Sequence, residues 1–288
     1  EEGSSFWSQA LTWRAFACAM VSAYTINIFL SGLDGHWGKL STLGMFSFGD
    51  FNSTGQNARP YVIAELIAFV GIGCLGGLAG AVFNFLNDRL TRFRMVHVTS
   101  PAARIAEVML VTTVMACVAF FVPLFMGTCR MVPDDALYAE TVVRFYCAKG
   151  QYNDMATFFF APAEEAIRML FHFETGVPDA PAFGWLGLLV GWVIYASVTC
   201  LTYGVAVPSG LFVPSLLTGA AMGRAVGELI NLVLGAGSVD AGTYSLIGAA
   251  AMLGGMARMT ISLAVILIEC TGDLQYGLPL MITLLAAR

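Results

Sequence analysis

The run Val207-Pro208-Ser209-Gly210-Leu211-Phe212-Val213-Pro214 sets two prolines and a glycine inside a strongly apolar stretch. Proline lacks a backbone donor and stops an incoming helix, while glycine lets the chain turn and bare its amides without side-chain cover. From Leu211 through Thr218-Gly219-Ala220-Ala221-Met222-Gly223 the sequence reads as a new helix that begins at mid-membrane. The first amides of a helix have no intrahelical acceptor, and the helix dipole adds positive potential at that end. In low dielectric this suits a dehydrated anion. The anion-binding candidates are therefore Gly210, Leu211, Phe212, Val213 and Pro214.

Other groups able to do chemistry are sparse. Ser209 has no evident base partner, and no serine, aspartate or histidine set has nucleophile spacing, so an enzyme is not expected. Glu164, Glu165 and His172 lack the H-E-x-x-H order and a second histidine, which argues against a metal site. Glu269 reads as a polar residue at a helix end, and Arg258 as a structural anchor. Glu1 and Glu2 precede the first apolar stretch, and from the residues alone they solvate a helix end.

The elements that must position these groups belong to a membrane. Of 288 residues 58% are hydrophobic and 11% charged, with a mean hydropathy of +0.76. A soluble domain carries about 25% charged residues, so the composition indicates a polytopic, all-α membrane protein. The net charge of −5 matters less than its distribution among loops, and without a basic stripe interleaved with aromatics no nucleic-acid partner is expected. Apolar stretches of spanning length are expected at 10–30, 61–86, 104–126, 183–206, 211–234, 244–268 and 276–287. Gly237, Gly254-Gly255, Thr271-Gly272-Asp273 and Pro279 interrupt the last three, which predicts tilted or partial spans. Glycine clusters at 71–80, 219–223 and 248–255 predict close helix packing. Residues 153–173 read as an amphipathic helical piece at or partly within the interface.

Three loop signals agree on topology. Residues 87–104 carry Arg89, Arg92, Arg94 and Arg104 against Asp88 alone, which predicts a cytosolic connection. The preceding loop holds the sequon Asn52-Ser53-Thr54, usable for glycosylation at Asn52 only on the luminal side. The following loop is acidic at Asp134, Asp135 and Glu140 and contains Cys129 and Cys147, for which a disulfide is expected in an oxidising lumen. Cys18, Cys74, Cys117, Cys200 and Cys270 fall in apolar segments and read as packing residues. The first residue is not methionine and no signal peptide opens the chain, so the sequence is expected to start within a longer protein.

Gly210-Leu211-Phe212-Val213-Pro214 resembles the G-x-F-x-P signature of the CLC family of chloride channels and chloride/proton exchangers. The likeness continues through Ser215-Leu216-Leu217, Gly219-Ala220-Ala221 and Gly223-Arg224. Gly248-Ala249-Ala250-Ala251, Leu253-Gly254-Gly255, Arg258-Met259-Thr260 and Tyr276-Gly277-Leu278-Pro279 extend it. Glu1-Glu2-Gly3, Ser5-Phe6-Trp7 is similar to the segment after the family's gating motifs. Cys147 and Asn153-Asp154-Met155-Ala156 resemble the late-endosomal and lysosomal branch.

The resemblance implies an inverted-repeat bundle of tilted and broken helices, with each subunit of a homodimer carrying its own pore. Residues 1–31 would end the first repeat, 32–60 form a luminal loop, and 61–288 make up the second repeat, incomplete at its C-terminal end. The amides of Leu211 and Phe212 would help hold the central anion, and Glu2 matches the family's internal proton-transfer glutamate. A carboxylate beside a buried helix is costly unless it serves a function, which agrees with that role. Absent from the sequence are the G-S-G-I-P and G-K-E-G-P segments, the final helix with its anion-coordinating tyrosine, and the CBS domains. The resemblance thus implies exchange of chloride for protons across a late endosomal, lysosomal or vacuolar membrane, without a cofactor. Expected partners are chloride, protons, lipid and a second copy of the chain, with an accessory subunit left open. The alternatives are a passive voltage-gated chloride channel and a non-transporting membrane interaction subunit.

Overall fold

The computed structural model describes residues 9–33, 63–132, 141–172, 183–235, 239–272 and 276–288. Helices α1 (Gln9–Leu33), α2 (Ile63–His97) and α3 (Pro101–Met126) come first. A short antiparallel hairpin follows, β1 (Cys129–Met131) with β2 (Gln151–Asn153), in the register Cys129 to Asn153. Next are α4 (Asp154–Phe160), α5 (Ala163–His172) and α6 (Trp185–Thr202). The chain continues through α7 (Phe212–Leu234), α8 (Ala241–Ala257), α9 (Ile261–Thr271) and α10 (Gly277–Ala287). Among the described residues four helices, starting at Glu65, Pro101, Trp185 and Phe212, are long and apolar enough to cross a membrane.

Side-chain caps start several of these helices. Ser100 accepts from the Ala103 amide, Asn153 from the Ala156 amide, and Asp240 from those of Gly242 and Thr243. Each satisfies donors that a helix start leaves without partners. Left-handed residues end two others: Arg258, at φ 55°, closes α8, and Gly272, at φ 68°, closes α9.

Close packing of small residues builds the centre. A Cβ on Gly219 would collide with the backbone of Gly248 and Ala249, and one on Gly223 with that of Tyr244 and Gly248, so α7 and α8 run antiparallel with their backbones touching. Gly76 meets Ala251 and Gly80 meets Gly255, which makes α2 parallel to α8. Gly73 faces Thr283 and Gly77 faces Ala287, setting α10 beside α2 in the same sense. Leu216, Ala220, Ala221, Leu246, Ile247 and Ala249 are fully enclosed at this junction. Lipid offers no hydrophobic gain for helix association, so dispersion across such seams carries the cohesion.

Several sequence expectations are corrected. The stretch at 244–268 is two helices, because the chain reverses at Arg258. With eleven residues each, α9 and α10 reach about 17 Å at about 1.5 Å per residue, roughly half the hydrocarbon thickness. Helix α2 continues to His97, so Arg89, Arg92 and Arg94 ride on a helix rather than in a loop. The amphipathic piece expected at 153–173 is two helices over its described residues, α4 and α5, and the apolar face of α5 (Ile167, Met169, Leu170) is enclosed by protein. That face packs against α7 and α8. The small hairpin is the departure from an all-α chain.

The glycine seam gives a direct test. Gly248→Ala would drive a methyl to 2.6 Å from the Gly223 Cα, against backbone that cannot yield, whereas a Cβ on Gly71 meets nothing within 4 Å. Gly248→Ala is expected to destabilise the fold by about 1–3 kcal/mol or more. Gly71→Ala is expected to be neutral or to stabilise by about 0.5–1 kcal/mol through helix propensity. Thermal unfolding of the two variants in detergent checks the contrast.

Candidate anion-binding site

The break expected before Leu211 is present. Helix α6 stops at Thr202, and the Tyr203 amide still donates to the Thr199 carbonyl. Gly204, at φ 87°, then turns the chain out of the helix. A short stretch with local contacts follows, including the Val207 amide to the Val205 carbonyl at 2.7 Å. Helix α7 begins at Phe212, and its first intrahelical donor is the Ser215 amide, 3.0 Å from the Leu211 carbonyl.

This helix start has no side-chain cap. Leu211 occupies the capping position with an aliphatic side chain. The nearby hydroxyls bond back into their own helix: Ser215 donates to the Phe212 carbonyl at 2.8 Å and Thr218 to the Ser215 carbonyl at 2.8 Å. Pro214 has no N–H. The remaining donors are the amides of Leu211, Phe212 and Val213, and among the described residues none of them meets an acceptor. An unpaired buried amide costs several kcal/mol in hydrocarbon, about the order found for amides with no compensating bond. An anion at this point removes that cost for several donors together.

Space for a ligand adjoins the break. An open cavity of about 110 Å³ is bounded by Tyr195, Thr199, Thr202, Ser209, Gly210 and Pro214, with Met115 of α3 opposite. Gly210 itself is exposed, and a Cβ there would meet nothing within 4 Å. Its backbone does not take a positive φ, so what glycine provides here is open approach to the amides that follow. Among the described residues no Lys or Arg lines the cavity, so hydroxyl and main-chain dipoles are its polar elements.

The helix fills the apolar stretch expected at 211–234. At twenty-three residues α7 extends about 34 Å at about 1.5 Å per residue, enough to cross a bilayer by itself. A start within the membrane therefore requires α7 to be tilted or its last turns to emerge, and Leu232, Val233 and Leu234 lie exposed on the chain's surface.

Away from the break, the disulfide joins Cys129 to Cys147, pinning β1 to the loop before β2. Beneath it Asp154, almost fully buried, accepts from the Thr128 amide at 2.8 Å, the Thr128 hydroxyl at 2.7 Å and the Met155 amide at 2.8 Å. The Arg130 guanidinium lies 3.7 Å from the same carboxylate. Burial holds the neighbouring Tyr152 phenol far above its ordinary pKa, so it stays neutral. Glu2 and Asn52 lie outside the described residues.

Two buried arginines escape sequence reading. Arg224, within the Gly223-Arg224 pair, donates to the Met169 carbonyl at 3.2 Å and to that of Leu170, and so caps the end of α5. It lies 3.7 Å from Glu228 and over the Phe183 ring. Arg94 donates to Glu107 and to the carbonyls of Leu201 and Tyr203 at the end of α6. Nothing in spacing separates Arg94 from Arg89 and Arg92. Yet Arg89 lies over the Phe85 ring and Arg92 pairs with Asp88, both within α2.

A family model described as voltage gated chloride channel matches residues 1–288. The chain belongs to that family. Similar proteins include the H(+)/Cl(-) exchange transporter 7 of Mus musculus and that of Homo sapiens, each 40% identical over 289 residues. Both alignments cover 100% of this chain and 35% of the relative. Chloride channel protein D of Dictyostelium discoideum is 34% identical over 357 residues, again covering all of this chain and 35% of the relative. The chain therefore spans about a third of the length of the curated relatives it matches. A crystal structure of a eukaryotic CLC transporter superposes with a TM-score of 0.50 at 26% identity, covering 79% of this chain and 32% of that one. The chain is an integral membrane protein of CLC fold.

Cys129 and Cys147 close a loop of 18 residues in sequence separation. Replacing both by serine is expected to cost about 3 kcal/mol through the freed loop entropy. A thermal unfolding curve of the double-serine variant beside the unaltered protein checks this.

Proposed function

We propose that this chain forms part of a secondary active transporter exchanging chloride for protons. The observation that carries the reading is the uncapped start of α7, whose Leu211, Phe212 and Val213 amides meet no acceptor among the described residues, next to Gly210 and Pro214 at the edge of an open cavity. Main-chain donors replace part of the hydration shell of chloride, and no cofactor enters the mechanism. The names of the relatives that are 40% identical over the whole chain support exchange rather than conduction. So does Glu2, a carboxylate at the position the family's exchangers use for internal proton transfer. Protons reach Glu2 from the cytosol by a route partly separate from the chloride path, and the two ions compete for one position between them.

In this proposal residues 1–31 close the first helical repeat, 32–60 form a luminal loop, and 61–288 belong to the second repeat. The arginines at the end of α2 then face the cytosol, and the disulfide clasp faces the lumen. The transporter works as a homodimer in a late endosomal, lysosomal or vacuolar membrane, alone or with an accessory subunit. A passive channel on the same fold is the second reading, favoured by the family description and by the name of the Dictyostelium relative.

Full-length protein in chloride-loaded liposomes separates the two. Chloride efflux is expected to drive proton uptake, and Glu2→Ala is expected to abolish the proton movement while chloride still flows. Chloride flux with no proton movement in the unaltered protein establishes the channel instead. Replacing the Phe212 peptide bond by an ester, which deletes its N–H and leaves the side chain, is expected to weaken chloride binding by roughly tenfold, the scale of one hydrogen bond to a charge.

A further inference from the structure

Three nitrogens of one guanidinium hold three different elements together beneath the α7 start. Arg94, near the end of α2, donates through Nε to Glu107 of α3, through Nη1 to the Tyr203 carbonyl at 2.8 Å and through Nη2 to the Leu201 carbonyl. Arg94 is buried and Glu107 nearly so, their side chains 8% and 17% exposed. The last carbonyls of a helix lack intrahelical donors, and a cation there also complements the dipole. Arg94 thus fixes where α6 ends.

The turn that follows is fitted to this group. Gly204 adopts φ 87°, and a Cβ there would lie 3.2 Å from the Arg94 Nη1 and 3.4 Å from the Thr91 hydroxyl. The backbone conformation favours glycine at this point, and a side chain there would crowd the guanidinium. Only residues 205–211 then separate the turn from α7. Their backbone hydrogen bonds among the described residues are local, from Val205 to Thr202, from Val207 to Val205 and, at the far end, from Ser215 to Leu211. The linker is therefore placed by its two ends. Glycine packing against α8 holds the far end, and Arg94 holds the near one.

We propose that Arg94, anchored by Glu107, is a positioning residue for the anion site: it sets the point from which residues 205–211 deliver the Leu211 and Phe212 amides. This inference rests on the reading of that helix start as the chloride site. It assigns Arg94 no contact with the ion. Its charge is taken up by Glu107 and two carbonyls, so it acts through geometry. Lysine cannot replace it, because one ammonium presents its donors around a single atom and cannot span partners that three separate nitrogens now reach.

The test is chloride titration calorimetry on purified full-length protein in detergent, with the unfolding midpoint recorded for each sample. Arg94→Lys is expected to weaken chloride binding roughly tenfold in the folded population, the scale of one lost charge-assisted bond. Arg92→Lys, altering a pair confined to α2, is expected to leave affinity unchanged. A folded Arg94→Lys protein with unaltered affinity, whatever its midpoint, overturns the proposal and leaves the chloride site standing. Should Arg94→Lys fail to fold, Glu107→Gln decides: about threefold weaker binding, as the anchoring bond loses its charge, supports the proposal, and unchanged affinity overturns it. No chloride binding by the unaltered protein overturns the site reading and this inference with it.

Discussion

A peptide N–H in hydrocarbon must find an acceptor, and the start of α7 is a place where the chain withholds one. Helix formation satisfies nearly every backbone group, and Ser100, Asn153 and Asp240 supply side-chain acceptors at the starts of α3, α4 and α8. At α7 an aliphatic residue occupies that position, and the nearby hydroxyls turn back into the helix. Helices α6, α9 and α10 also begin without a side-chain cap, but none of them follows a proline-interrupted apolar run opening on a cavity. What distinguishes the α7 start is the combination: donors without acceptors, room beside them, and a glycine that keeps the approach clear.

A site made of main chain is only as accurate as the helices that carry it. Side chains can adjust a rotamer to meet a ligand, whereas amides move only with their backbone, and binding geometry tolerates errors of about 0.5 Å. The touching backbones of α7 and α8 answer that demand, since there is no flexible side chain between them to absorb a shift. Parallel packing of α2 and α10 onto the same seam extends the rigid block. The paired carboxylate of Asp154 and the Cys129 to Cys147 link do equivalent work at the far end of α3.

Much of this was legible in the residues. Pro208, Gly210 and Pro214 marked the break, because a proline lacks the donor that a continuing helix needs and clashes with the preceding turn. The glycine clusters marked the seams, since small residues at helical spacing have one common use between membrane helices. The failures have physical causes too. Hydropathy could not divide 244–268, as Arg258 reverses the chain through its backbone while both flanks stay apolar. Amphipathicity read residues 153–173 as one helical piece, because it does not show that Ala161 and Pro162 divide α4 from α5. Arg94 was concealed among Arg89 and Arg92, for a sequence shows how many charges a segment carries and not which one finds carbonyls across the fold.

The absence of a cation from the cavity has a mechanistic meaning under the proposed function. A helix start presents roughly half an elementary charge, whereas a lysine or arginine beside the ion would present a whole one. In low dielectric that difference separates an ion that is held from one that is also released, and an exchanger must do both in every cycle. Arg94 and Arg224 lie within the same bundle, yet each is spent on carbonyls and a carboxylate, Arg94 with Glu107 and Arg224 with Glu228. Each arginine thus has a carboxylate partner of its own and serves to join helices. The proposed function then leaves the attraction of chloride to dipoles rather than to a full positive charge.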